Sequence, residues 1–238
     1  MRAALLRSER ARHNGPMNLV MRALQNSAIG LTRAYQRLFM DLHVWGREHI
    51  SPGPSIYVIN HITAFDFLVA ALLPDPVHIV VGPGYKSPWA ARILDALEHI
   101  NAMPAHRGSV VSKAVGYLRS GESVLIAPEG DMQEPFRLGR FYPGVARMYR
   151  ETRVPLVPIG ILAPKRRLRE LPITTNVDGH IYRCVIVRRG PLCISIGRPL
   201  TPELPDGSEE EQERFVLDLL RETLEGLIED ARVHRFWQ

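Results

Sequence analysis

His61 and Asp66 are the two residues of this sequence whose types and spacing are best suited to catalysis. They follow residues 55–59, an apolar run with the pattern of a buried strand. Residues five apart lie about 140° from each other around an ideal helix, so the two side chains meet only if His61 lies in a turn and Asp66 enters the next helix. In that arrangement the imidazole accepts a proton from an attacking hydroxyl, and the carboxylate holds the other ring nitrogen. The pair therefore predicts general-base activation of a hydroxyl, with no nucleophilic side chain required.

The same pair also has a purely structural interpretation. A histidine whose ring nitrogens are hydrogen-bonded inside the fold can stand at the same spacing from an aspartate that caps a helix. For an isolated histidine and aspartate, this structural arrangement is the more frequent one. A catalytic assignment therefore depends on polar residues elsewhere in the chain.

Three further segments carry polar or proline-containing turns next to apolar runs. Arg107 follows a short apolar strand, where a guanidinium can bind a phosphate in fork geometry. Glu129 and Gly130 follow the apolar run at 124–127, and residues 154–160 form an apolar strand punctuated by prolines. Taken singly, these segments fit a surface arginine, a solvated turn and a core strand. The information lies in their order along the chain.

In this order the segments resemble the glycerolipid acyltransferases, in particular the lysophosphatidic acid acyltransferases. That family carries an NHxxxxD motif, then a strand that ends near an arginine, then a Pro-Glu-Gly turn and then an apolar Val-Pro-Ile stretch. The matching positions are Asn60, His61 and Asp66; Arg107; Pro128, Glu129 and Gly130; and Val157, Pro158 and Ile159. Family-like residues extend from about Val44 to Leu200, which is most of the chain.

The resemblance implies an enzyme that transfers a fatty acyl group from acyl-CoA or acyl carrier protein to a hydroxyl of a lysophospholipid such as 1-acylglycerol-3-phosphate. It implies that His61 is the general base, that Asp66 orients it, and that the acceptor hydroxyl attacks the thioester directly. The thioester is a co-substrate, and no metal or other cofactor is expected. The residues expected to bind the acceptor are Asn60, Arg107, which would hold its phosphate, Glu129 and Gly130.

The third motif departs from the family pattern. Residues 131–133 are Asp-Met-Gln where Thr-Arg-Ser is common, and Tyr142 stands where lysine is common. A missing buried arginine removes a charge-assisted phosphate contact worth roughly 1.5 to 3 kcal/mol, and Asp131 repels a phosphate. Arg137 or Arg140 of the same loop is the candidate to supply the missing phosphate contact. The acceptor stays open, since a glycolipid, an amino-acid lipid or another lysophospholipid fits the same chemistry, and a non-catalytic lipid-binding member of the fold is a further alternative.

The remaining sequence alternates strand-like and helix-like segments. This pattern predicts a single α/β domain with a central, mostly parallel sheet flanked by helices. Residues 181–187 and 192–196 predict a hairpin added to that sheet. The predicted strands are residues 56–59, 78–81, 123–127 and 156–161, and the predicted helices follow Phe65 and cover residues 88–97, 110–119, 144–151 and 208 to about 233.

Residues 1–43 are predicted to form a basic leader and an amphipathic helix, and residues 44–238 the acyltransferase domain. The helix is predicted from residue 17 to about residue 42, because apolar side chains recur there at intervals of three and four and no proline interrupts them. Such a helix either packs on the domain or docks on anionic lipid.

Charge favours an anionic partner, since the 238-residue chain has a formal net charge of +5. No nucleic-acid motif accompanies this charge, so we predict a membrane surface and not nucleic acid as the partner. Only two cysteines occur, and no apolar stretch reaches the roughly 18 residues that a bilayer crossing needs. The sequence thus predicts a peripheral protein at the cytoplasmic face of the membrane, without a transmembrane helix. The positive charge includes two basic clusters, and the alternative interpretation of each is an ordinary solvated surface. The clusters are Arg2, Arg7, Arg10 and Arg12, and Lys165, Arg166, Arg167 and Arg169.

Overall fold

The alternating segments form a seven-stranded sheet in a computed structural model, which describes residues 17–50, 52–74 and 76–236. Within those ranges, side chains are described at position 27 and from 29 to 233. The strands are β1 (Met40–Trp45), β2 (Ile56–Ile59), β3 (Val77–Val81), β4 (Ile100–Asn101), β5 (Ser123–Ile126), β6 (Leu156–Leu162), β7 (Leu168–Val177), β8 (His180–Val187) and β9 (Gly190–Ile196). The helices are α1 (Met17–Phe39), α2 (Pro88–Ala96), α3 (Arg107–Arg119), α4 (Gly144–Thr152) and α5 (Glu209–Phe236), and a 3₁₀-helix spans Asp66–Leu72.

Parallel pairing brings the polar turns to one edge of the sheet. The strand order is β1-β9-β6-β2-β5-β3-β4, and the pairs from β6 through β2, β5 and β3 to β4 are all parallel. β9 runs antiparallel to β6, and β1 runs parallel to β9. The carboxyl ends of β2, β5, β6 and β4 therefore lie at the same edge, which is where open α/β sheets bind ligands. The predicted fold class, a single α/β domain with a mostly parallel sheet, is confirmed.

The central strands are buried on both faces. Every residue of β2, β5 and β6 is buried. Ile56 and Val58 pack with side chains of α3, α4 and α5 on one face, and Tyr57 and Ile59 pack with Val69 of the 3₁₀-helix on the other. Burial of each large apolar side chain contributes about 1.5 to 3 kcal/mol, so these strands form the rigid frame from which the polar turns project.

The predicted hairpin of residues 181–187 and 192–196 is wrong. β8 pairs antiparallel with β7 in a separate two-stranded sheet, and β9 lies between β1 and β6 in the main sheet. The physical reason is burial: residues 193–196 of β9 are all buried and need strands on both sides, whereas β7 and β8 are largely exposed. β7 was not predicted because its side chains form no continuous apolar run.

α1 is one turn shorter than predicted, because Met40 leaves the helix, becomes buried and pairs with Gly190. α1 packs on the 3₁₀-helix, where the Nε of Arg33 donates a hydrogen bond to the carbonyl oxygen of Ala71 (3.0 Å). Leu38, by contrast, is 67% exposed. The leader and its arginine cluster lie outside the described residues, and the division at residues 43 and 44 stays a prediction. None of the helices in the described ranges has the length and apolar character needed to cross a bilayer.

Candidate active site

His61 and Asp66 meet at the carboxyl end of β2. The strand ends at Ile59, His61 lies in the following turn, and Asp66 is the first residue of the 3₁₀-helix. The Nδ1 atom of His61 lies 2.9 Å from Oδ2 of Asp66. A carboxylate oxygen accepts this hydrogen bond, so Nδ1 donates it, and the lone pair of the neutral ring is left on Nε2. This is the turn-then-helix arrangement that the spacing of five requires.

The carboxylate of Asp66 is fixed by more than the histidine. Its Oδ2 accepts hydrogen bonds from the backbone N–H groups of Ile62 (2.6 Å) and Thr63 (2.8 Å), and its Oδ1 accepts one from the hydroxyl of Thr63 (2.7 Å). Asp66 is only 4% exposed. Four donors therefore surround one buried carboxylate, which fixes both the turn and the orientation of the imidazole plane.

Glu129 connects the turn after β2 to the loop after β5. It is buried, and its Oε1 and Oε2 accept hydrogen bonds from the backbone N–H groups of His61 (3.1 Å) and Gly139 (2.7 Å). Burial raises the pKa of Glu129, and these two hydrogen bonds lower it in part. Gly130 has a left-handed backbone (φ 66°), and a Cβ there would lie 3.1 Å from the ring of Tyr142. The Pro-Glu-Gly turn thus positions the loop that borders His61.

Glu129→Gln is expected to lower the free energy of unfolding by about 1 to 3 kcal/mol, because the new amide nitrogen must face one of the two backbone donors and leave it without an acceptor. Urea unfolding measures the change. The matched control is Glu134→Gln in the same loop, where the carboxylate is 65% exposed and lies 3.5 Å from the ammonium group of Lys165. We expect the control to shift stability by less than about 0.5 kcal/mol. If both variants are equally stable, the hydrogen bonds of Glu129 do not hold the turn of His61 in place.

Asn60 joins the ends of β2 and β6. Its Nδ2 donates to the carbonyl oxygen of Ile161 (2.9 Å), and its Oδ1 accepts from the N–H of the same residue (2.6 Å). The side chain is 2% exposed. Its amide therefore continues the β2–β6 ladder beyond the last backbone pair, and holds His61 relative to β6.

The family of this chain follows from its sequence. Residues 41–162, half of the chain, match the model of the family described as Acyltransferase. The chain belongs to the acyltransferase family. The predicted acyltransferase enzyme class is thereby confirmed. No protein of curated function matches the sequence at a significant level.

The fold of this acyltransferase is similar to that of a solved structure. The match is to the crystal structure of the 1-acyl-sn-glycerophosphate (LPA) acyltransferase PlsC from Thermotoga maritima, with a TM-score of 0.62 and 19% sequence identity. The alignment covers 88% of this chain and 82% of the other. At this identity the likeness concerns the fold, and the roles of individual residues rest on the geometry above.

The three arginines predicted to bind the acceptor lie at the same edge of the acyltransferase sheet as the His61–Asp66 pair, and the described residues show no hydrogen bond or ion pair between these arginine side chains and the pair. Arg107 is the first residue of α3, after the edge strand β4, and is exposed. Arg137 and Arg140 lie in the loop after Gly130 and are also exposed. Their side chains are therefore available to a ligand, and phosphate binding by them stays a prediction.

The β7–β8 hairpin contacts the turn that carries His61, a contact that the sequence did not reveal. The carbonyl oxygen of Val185 accepts a hydrogen bond from the N–H of Ala64 (2.7 Å), and Nε2 of His180 lies 2.9 Å from Oδ2 of Asp131. Asp131 is one of the residues that departs from the family pattern. Thr63 also belongs to the site and was not predicted, although its spacing of three from Asp66 is typical of local side-chain to backbone hydrogen bonding and could have indicated it.

The environment of His61 favours the imidazolium more than water does. Burial is the largest influence and disfavours the charged ring, but the hydrogen bond and charge of Asp66, with the charges of Glu129 and Asp131, outweigh it and raise the pKa of His61 above its ordinary value. A more basic imidazole is a stronger proton acceptor in its neutral form. This arrangement can therefore accept a proton on Nε2 and stabilise the imidazolium that results.

Proposed function

We propose that this acyltransferase moves a fatty acyl group from a thioester, acyl-CoA or acyl carrier protein, to a hydroxyl of a lysophospholipid such as 1-acylglycerol-3-phosphate. The observation that carries the proposal is the His61–Asp66 pair, in which Nδ1 is bound to a carboxylate (2.9 Å). Within the described part of the chain, Nε2 has no hydrogen-bond partner and is left for a substrate. The pair lies at the carboxyl ends of parallel strands, where open α/β sheets generally bind ligands, and the chain belongs to the acyltransferase family.

The reaction proceeds by direct attack. The acceptor hydroxyl oxygen forms a bond to the thioester carbonyl carbon as its proton passes to Nε2 of His61, and Asp66 stabilises the imidazolium. The tetrahedral intermediate then collapses, the carbon–sulfur bond breaks, and the imidazolium returns the proton to the departing thiolate. The products are an ester and a free thiol, and His61 is neutral again.

The other predicted residues have supporting roles in this proposal. Asn60 and Glu129 hold the turn of His61 through backbone hydrogen bonds, so their effect on the acceptor is indirect. Arg107, Arg137 and Arg140 are the candidates to bind the acceptor's phosphate, since all three residues are exposed at the edge of the sheet that carries His61. Because the acceptor is a lipid, the protein acts at a membrane surface as a peripheral enzyme.

Asp131 favours a second class of acceptor. Its charge is close enough to raise the pKa of His61, so it also repels a phosphate that approaches the base. A lysolipid with a cationic amino group, such as an amino-acid lipid, would gain from the same charge.

The acceptor class is tested by competition. Acyl-CoA and the enzyme are mixed with equal amounts of 1-acylglycerol-3-phosphate and an amine-bearing lyso-amino-acid lipid, and the products are weighed by mass spectrometry. A predominance of diacylated phosphate product supports the first acceptor, and a predominance of acylated amino-acid lipid supports the second. If the enzyme acylates neither these nor a neutral lysoglycolipid, the proposed reaction is wrong.

The rate of acyl transfer is expected to fall in acid as His61 becomes protonated, with a midpoint above the ordinary imidazole value of about 6.5. Asp131→Asn removes one of the charges that raise this pKa, so the midpoint should move to lower pH. The control is Asp178→Asn, which removes the same charge from the exposed turn between β7 and β8. The measurement is the pH dependence of kcat/KM, with NMR titration of the His61 ring beside it. Identical midpoints in the unmodified enzyme and Asp131→Asn would contradict this account of the pKa.

A further inference from the structure

Three arginines come together where the β7–β8 hairpin joins the main sheet. Arg167 lies in the turn after β6, and Arg188 and Arg189 link β8 to β9. With Gly190 they line an open cleft of about 490 Å³, which we call the arginine cleft. The N–H of Arg188 donates to the carbonyl oxygen of Arg167 (2.8 Å), and Nη1 of Arg167 donates to the carbonyl oxygen of Arg189 (3.1 Å). The two segments are therefore fixed against each other.

The chemistry of the arginine cleft suits an anion. The Nε atom of Arg167 is buried and has no hydrogen-bond partner within the described residues. Gly190 lies against it with φ at 144°, and a Cβ at this position would come within 2.9 Å of that nitrogen. Arg188 and Arg189 are exposed, and no carboxylate lines the cleft as the structure describes it. An anion that enters the cleft is therefore attracted by the positive charges of all three arginines and meets no opposing carboxylate among the described lining residues.

The arginine cleft opens beside exposed apolar side chains. Gly190 pairs with Met40, so the cleft adjoins the end of α1. There Leu38 is 67% exposed and Phe39 is 48% exposed. Both features lie at the edge of the sheet that carries His61, because β9 begins where β6 ends. Basic side chains next to exposed apolar ones are typical of surfaces that bind the interface of an anionic bilayer.

We propose that the arginine cleft and the apolar end of α1 form one surface that docks on a bilayer, with the phosphate of an anionic lipid headgroup in the cleft. This inference rests on the proposed function only in that the acceptor is a lipid. Guanidinium forks bind phosphate oxygens in pairs, and Leu38 and Phe39 enter the boundary of the acyl chains. Nucleic acid would match the arginines but would leave these two side chains in water.

The test is sedimentation of the full chain with vesicles of phosphatidylcholine, with and without phosphatidylglycerol. The unmodified protein should prefer the anionic vesicles, and added salt should weaken that preference. Replacing both Arg188 and Arg189 with alanine should weaken binding to anionic vesicles about fivefold per arginine, the effect of one charge near such a surface. Phe39→Ser should weaken binding at low and high salt alike.

The charge-matched control replaces Arg119 and Arg214 with alanine, since both are exposed at the opposite edge of the sheet. This control should bind anionic vesicles like the unmodified protein. The surface is wrongly assigned if the variant at Arg188 and Arg189 binds as tightly as the control, or if the unmodified protein binds both kinds of vesicle equally. The mixture contains neither acyl donor nor acceptor, so this result is independent of the acyl-transfer proposal. Conversely, His61→Ala should lose transfer and keep vesicle binding.

Discussion

His61→Ala is expected to reduce the rate of acyl transfer by roughly 10² to 10⁴-fold, the usual contribution of a positioned general base. The same substitution should change the free energy of unfolding by about 1 kcal/mol or less, because the ring is 26% exposed and its one described hydrogen bond is to Asp66. Asp66 keeps its other three donors when the ring is removed. Thiol release from acyl-CoA measures the rate, and urea unfolding measures the stability.

The control is His43→Ala on β1. His43 is also partly exposed (32%) and also lies beside a carboxylate, that of Asp41 at 3.0 Å. It should retain the unmodified rate. If His61→Ala transfers acyl groups as fast as His43→Ala, His61 is not the base.

Asp66→Ala is expected to lose both activity and stability. Without the carboxylate, the N–H groups of Ile62 and Thr63 and the hydroxyl of Thr63 lose their acceptor, in a region where both residues are 1% exposed and water cannot replace it. Each unsatisfied buried donor costs about 1 to 3 kcal/mol, so we expect unfolding to become easier by roughly 3 to 5 kcal/mol. The rate should fall at least as far as in His61→Ala, because the ring loses its orientation and its counter-charge.

Asp66→Asn separates the two effects. Its amide oxygen still accepts hydrogen bonds, so most of the stability should return, but a neutral amide no longer stabilises the imidazolium and the rate should stay low. An Asp66→Ala protein that is both active and fully stable would show that neither the turn nor the base depends on this carboxylate.

The sequence predicted those parts of the fold that depend on local patterns. β2, β5 and β6 are continuous apolar runs because parallel strands covered on both faces need them, and such runs are visible without knowing the neighbours. The contact between His61 and Asp66 was also predictable, since side chains five positions apart meet only across a turn followed by a helix, and the sequence predicted a strand, a turn and a helix at this place.

The parts that the sequence did not show depend on strand pairing. Asn60 binds Ile161, which is 101 positions away in the sequence, and Glu129 binds the N–H of His61, which is 68 positions away. Both contacts exist because β2 lies between β5 and β6, an order that no local pattern specifies. The arginine cleft has the same origin, since insertion of β9 between β1 and β6 brings Gly190 beside Met40.

The most direct test of the central claim is the stoichiometry of a single reaction. Acyl-CoA and the unmodified protein are incubated with a panel of lysolipids, and the free thiol and the new ester are quantified together by mass spectrometry. We expect equal amounts of thiol and ester, and no thiol without an acceptor, because the attacking group is the acceptor hydroxyl activated by His61. Thiol release without an acceptor, or an intact thioester with every acceptor, would contradict acyl transfer by this site.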